Sequence, residues 1–159
     1  MPSVATTKAN SGSVSRPAPR DGQEEDLAAA WHDLMGNYHR IAMALDRELL
    51  ARHDVTLSEF EVLQQLHDGD CGAVKMNELG ERVHLTQSAL SRLIARLERD
   101  GLVTRTMCED DRRSVFAQIT ADGAKRYTQA RPTQRGVLRE QAAAECVQQT
   151  DALRTAVQR

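Results

Sequence analysis

At 159 residues the chain holds one domain, or one core with a helical attachment. A formal net charge of -2 excludes a molecule that is basic all over, so any nucleic-acid surface has to be a local patch. Three cysteines, Cys71, Cys108 and Cys146, show neither CxxC nor Cys/His ligand spacing, and their odd number argues against a disulfide framework.

Residues 1–23 are rich in Ser, Thr, Ala, Gly and Pro, with Lys8, Arg16 and Arg20 and no acid before Asp21. Such a stretch buries too little apolar area to offset its ordering entropy and reads as a disordered tail. No apolar run reaches membrane-spanning length and no signal-peptide segment follows Met1. The expectation is a soluble protein of the cytoplasm with no membrane partner.

From Glu24 to Arg52 the apolar residues Leu27, Trp31, Leu34, Tyr38, Ile41, Leu45 and Leu49 recur at alternating three- and four-residue steps. That 3.5-residue repeat keeps one seam of a long helix facing a partner. So long a seam on so small a chain predicts association between two subunits, with residues 24–56 as a dimerisation helix. After a turn at Asp54 to Thr56, Ser58-x-x-Glu61 reads as a capping box, with Leu57 and Val62 as the hydrophobic staple around it. Phe60, Leu63 and Leu66 supply the buried side of that helix. Ala73 to Lys75 reads as a short extended stretch. Met76, Leu79 and Val83 then mark a short helix in which Gly80 admits close packing.

A tight connection at His84-Leu85 leads into LTQSALSRLIARLERDG, Leu85 to Gly101. Thr86 fits an N-cap, and Gly101 stands where a left-handed helix end wants no Cβ. Leu90, Leu93, Ile94 and Leu97 fall at i, i+3, i+4 and i+7 and bury one face. The opposite face collects Ser88, Arg92, Ala95 and Arg99, flanked by Gln87, Ser91 and Arg96. Small residues allow close approach to a surface, while Gln, Ser and Arg carry donors for base edges and phosphates. Two short helices joined this closely make a helix-turn-helix, the second serving as recognition helix. Between Arg82 and Arg113 seven Arg stand against five acids, the local patch that the overall charge requires.

Beyond Gly101 the period changes to two. Leu102 to Met107 and Val115 to Thr120 read as strands around a charged loop, Cys108 to Ser114. A hairpin directly after a recognition helix is a wing. Its tip carries Arg112 and Arg113, suited to a minor groove or its phosphates, with Asp110 or Asp111 to hold them. A helical region opens at Thr120 and is expected to bend or shift at Pro132, and a second runs from Ala142 to Arg159. Residues 57–120 thus form the winged helix-turn-helix, and residues 121–159 a second dimerisation region. The fold class is mainly α with a small β-hairpin wing.

The run MNELGERVHLTQSALSRLIARLERDGLVTR, followed by CEDDRRSVFAQITADG, resembles the MarR family of winged helix-turn-helix regulators. The likeness covers about Leu27 to Leu153. It is carried by Arg-Leu-Glu-x-x-Gly-Leu-Val around Gly101, Asp111-Arg112-Arg113 at the wing, and Ile119-Thr-x-x-Gly123. The resemblance implies a homodimer that binds an inverted-repeat operator in double-stranded DNA, as a repressor of a neighbouring gene released by a small-molecule effector. It places Thr86, Gln87, Ser88, Ser91, Arg92 and Arg96 toward the major groove, and Arg112 and Arg113 toward the minor groove with Asp111 as brace. An effector crevice would draw on Trp31, His32, Met35, Tyr38, His39 and Glu61, an apolar wall with a few polar groups.

Other classes have less behind them. His32 and His39 lie seven apart on one helix face, but a metal sensor needs a fuller ligand set, so neither metal nor cofactor is expected. Cys108, at the root of the wing beside basic residues, is the one cysteine suited to an oxidation switch, with Glu109 and Asp110 opposing its thiolate. A winged-helix protein-interaction module without DNA binding would expose apolar anchors where this chain has Gln, Ser and Arg. No nucleophile is paired with a base and no Gly loop cradles phosphate, so no enzyme is expected.

Overall fold

The computed structural model describes residues 21–69, 73–107 and 115–142, together with Thr155. The first element is the 33-residue helix α1, Asp21–His53, which starts three residues before the expected Glu24. Its seam divides in two. Ile41, Leu45 and Leu49 are buried, while Leu27, Trp31 and Tyr38 in the N-terminal half lie on the surface. The helix ends where Asp54 turns left-handed, with φ of 54°.

Helix α2, Leu57–His67, carries a capping box two residues earlier than its sequence suggested. Thr56 is the N-cap: its Oγ1 accepts from the Glu59 amide, and Glu59 Oε2 accepts from the Thr56 amide at 2.7 Å. Both Thr56-x-x-Glu59 and Ser58-x-x-Glu61 satisfy the pattern. The apolar flanks decide between them, because Val55 and Phe60 stand at the staple positions of the first box and both are buried. Asp46 of α1 adds a further bond, its Oδ1 accepting from the Leu57 amide at 2.8 Å.

Strand β1, Ala73–Lys75, leads into helix α3, Met76–Arg82, and helix α4, Gln87–Arg99. His84 makes the turn between them with φ of 54°, and Leu85 N–H reaches back to Gly80 O at 3.0 Å. A left-handed residue followed by this bond closes a helix end by satisfying its last carbonyls. Gly80 is buried in the corner, where a Cβ would stand 3.3 Å from Leu85 O. Helix α4 ends in the same way: Gly101 has φ of 71°, its N–H bonds Glu98 O, and Leu102 N–H bonds Leu97 O.

Strands β2, Val103–Met107, and β3, Val115–Ile119, pair antiparallel with Val103 opposite Ile119. The expected hairpin gains a third strand, since β1 pairs with the other edge of β3 to give the order β1-β3-β2. Helix α5, Ala121–Ala142, runs through Pro132 as one element, so the proline does not divide the closing helix as anticipated. Its start explains the Ile119-Thr-x-x-Gly123 pattern. Thr120 Oγ1 donates to Gly101 O and accepts from the Gly123 amide, while a Cβ on Gly123 would stand 2.1 Å from Leu102 O. Only glycine lets α5 sit this close to the end of α4.

The core lies among α2, α3, α4 and the sheet and takes in Leu49 of α1 and Tyr127 and Ala130 of α5. A smaller cluster of Ile41, Leu45 and Val137 joins α1 to α5. The architecture is mainly helical with a small antiparallel sheet, as the sequence indicated.

Candidate nucleic-acid interface

Helix α4 buries Leu90, Ile94 and Leu97 and leaves Leu93 half-covered, which fixes its rotation about its own axis. Gln87, Ser88, Ser91, Arg92, Ala95 and Arg99 are consequently exposed. Thr86 is exposed and spends its hydroxyl on the cap, accepting from the Ala89 amide at 3.3 Å. Gln87, Ser88, Ser91 and Arg92 therefore share one exposed face of α4.

Arg96 departs from that set. Its Nε is 2.9 Å from Oε1 of Glu59, an acid only 2% exposed, and 3.9 Å from Oδ2 of Asp100. Glu59 is not among the candidate site residues of the sequence, where Ser58-x-x-Glu61 reads equally well as the cap. The one signal available was its position three after Thr56, between buried Val55 and Phe60. Arg105 was also missed. Its Nη2 donates to Ser91 O at 2.9 Å, its Nε lies 3.3 Å from Glu98 Oε2, and its backbone amide donates to Glu98 Oε1 at 3.1 Å. Three contacts from one residue clip the first wing strand to α4 at Ser91 and Glu98.

Between that clip and the helix start runs a groove of about 610 Å³, lined by Met76, Gln87, Ser91, Arg105, Met107 and Val115. The wing tip itself, with Asp111, Arg112, Arg113 and Cys108, lies outside the described residues, as do Cys71, Cys146, residues 1–20 and most of the last helical stretch.

The effector candidates are not gathered by a single chain. Trp31, His32, Tyr38 and His39 are exposed along α1, and Met35 is half-buried. His39 Nδ1 lies 2.7 Å from Met35 O, and the Tyr38 and His39 rings meet edge-on at 5.6 Å. Glu61 is on α2, its carboxyl pushed above the ordinary range by partial burial, with His84 pulling the other way. A polar cleft between α1 and α5, about 460 Å³, is lined instead by residues such as Arg47, Glu48, Arg52 and Thr133. Among the described residues no group of three or more His, Cys, Asp or Glu side chains is placed to hold a metal ion. Nor is any described helix long and apolar enough to cross a membrane.

Comparison with known proteins matches residues 55–115, from the α2 cap through the helix-turn-helix to the second wing strand, to the MarR family model. Over those residues the chain is similar to the MarR family. Among curated MarR-type relatives, the organic hydroperoxide resistance transcriptional regulator of Bacillus subtilis is 33% identical over 78 residues, 49% of this chain and 52% of that protein. The homoprotocatechuate degradative operon repressor of Escherichia coli is 27% identical over 89 residues, 56% of this chain and 59% of that one. The chain thus spans little more than half the length of these relatives. A MarR family transcriptional regulator of Streptomyces coelicolor, solved in complex with DNA, superposes with a TM-score of 0.74 at 23% identity and covers 90% of both chains. At that identity the likeness carries the fold, and it extends the MarR architecture well beyond residues 55–115.

Proposed function

We propose that this chain is a sequence-specific DNA-binding regulator, acting as a homodimeric repressor that a small molecule releases from its operator. The observation that carries the reading is the outward face of α4. A helix capped at both ends and locked by three buried residues presents Gln87, Ser88, Ser91 and Arg92 to solvent without an apolar anchor among them. Side chains of this kind hydrogen-bond base edges, and the small ones admit the close approach that the major groove demands. The curated relatives are regulators by name, one of them a repressor, which supports the same reading.

Dimerisation is supported by the exposed half of the α1 seam. Trp31 and Tyr38 are 56% and 59% exposed on a helix whose repeat suits a helical partner. Trp31, His32, Met35, Tyr38, His39 and Glu61 would line an effector crevice only once a second chain stands opposite. Arg112 and Arg113, braced by Asp111, are proposed for the minor groove. Cys108 remains the position for an alternative, redox-responsive regulator, and a cytoplasmic location follows from a DNA target.

The reading is tested by selecting bound duplexes from fragmented genomic DNA with the purified chain. The expected result is enrichment of an inverted repeat whose half-sites lie about one helical turn apart. Failure to enrich any sequence over bulk DNA would favour the interaction-module reading and overturn this one.

A further inference from the structure

From the geometry we infer that Glu59 and Arg96 form a positioning clamp that sets recognition helix α4 from the α1–α2 junction, and that Arg96 does this instead of contacting DNA. This rests on the DNA-reading role proposed for α4.

Four linked bonds carry the inference. Asp46 of α1 holds the first turn of α2 through the Leu57 amide at 2.8 Å. Glu59, in that same turn, spends Oε2 on the Thr56 amide and hydroxyl at 2.7 and 2.9 Å. Its remaining oxygen, Oε1, takes Arg96 Nε at 2.9 Å. A carboxylate this deeply buried persists when its lone pairs are filled, so Glu59 holds its place only while Arg96 does. Arg96 is half-exposed and sits on the flank of α4, one turn beyond Arg92, where a shift of the helix alters which bases its exposed face meets. The position of α1 is therefore linked through α2 to α4 by charge-assisted hydrogen bonds as well as by packing. This identifies both Glu59 and Arg96 as positioning residues.

The test compares Arg96→Met, which keeps the aliphatic stem, with Glu59→Gln and with the double variant, on the selected duplex and on random duplex DNA across a salt series. The clamp predicts that each single variant loses about tenfold on the selected duplex while random-DNA affinity and salt slope hold. It also predicts that the double variant loses no more than either single. A slope lower by about 0.9 for each lost phosphate contact in Arg96→Met, with random-DNA affinity falling in parallel, would make Arg96 a DNA contact and overturn the inference. So would additive losses, or no loss in either single variant. If the unaltered chain binds no duplex at all, the regulator reading fails by itself. Amide exchange in the DNA-free protein then decides the clamp: exchange about tenfold faster in α4 of Glu59→Gln with α5 unchanged supports it, and an unchanged α4 overturns it.

Discussion

Glu59 ties the start of α2 to α4 through a single carboxylate. Its carboxylate closes the α2 cap and receives Arg96 while remaining 2% exposed. Hydrogen bonds to charged groups contribute about 1.5–3 kcal/mol when both partners are fixed. Glu59→Ala is accordingly expected to lose about 2 kcal/mol in urea denaturation with an unchanged m value, and a loss below about 0.5 kcal/mol would mean the pair is idle. His53 is a second residue with a readable consequence. Burial first, then the charges of Arg52 and Arg126, hold its pKa below the ordinary value. Its ring also meets Thr133 Oγ1 at 2.8 Å, and Arg126 donates to its backbone carbonyl. A folded-state pKa lowered in this way favours the neutral ring, so the stability it contributes is present above about pH 6.5 and is lost as the pH falls toward and through the folded value. Thermal melts between pH 7.5 and 5 are expected to show a smaller acid loss in His53→Gln than in the unaltered chain. An equal loss in both would remove His53 from the account. Neither residue stands out in the sequence, because Thr56-x-x-Glu59 and Ser58-x-x-Glu61 fit the same capping pattern and His53 meets Thr133 and Arg126 only through tertiary packing.

At the scale of elements, sequence and structure agree best where local chemistry is decisive. Thr86 and Gly101 bound α4 because a hydroxyl acceptor and a residue without Cβ are needed at those two ends, and the spacing of Leu90, Ile94 and Leu97 sets which face is buried. Gly101→Ala is expected to cost about 1 kcal/mol through its left-handed backbone alone. Gly123→Ala should cost more, toward or beyond about 3 kcal/mol, since its added carbon would meet the Leu102 carbonyl. Calorimetric melts would order the two, and a milder effect at Gly123 would mean that α5 can slide away from α4. Elements that depend on distant partners were harder to see. The β1 segment AVK is three residues long and becomes a strand only because β3 offers a free edge. Pro132 carries a helix-breaking signal, yet it sits in a helix braced by α1 and α2, where packing outweighs one missing backbone bond.

For the whole molecule, the governing fact is that the apolar seam of α1 is exposed at Leu27, Trp31 and Tyr38 among the described residues. Leu27, Trp31 and Tyr38 continue the spacing of buried Ile41, Leu45 and Leu49, so the same repeat serves the core at one end and is exposed, toward the proposed dimer partner, at the other. Trp31→Glu is expected to convert a dimer to monomers in sedimentation experiments while leaving the melting of the core little changed. Persistence of the dimer would place the interface elsewhere. The repeat itself is legible from residue spacing, but which of its residues are buried within the chain is not, because that depends on tertiary packing such as the cluster of Ile41 and Leu45 with Val137.

The central claim is that the exposed face of α4 reads bases, and Arg92 tests it most directly. Repeating the duplex selection with Arg92→Ala should weaken binding to the preferred site by about 1–3 kcal/mol and relax preference at one symmetric pair of positions, leaving the rest of the inverted repeat intact. An unchanged motif with equal losses on every duplex would show that Arg92 touches only phosphate, and would contradict the account.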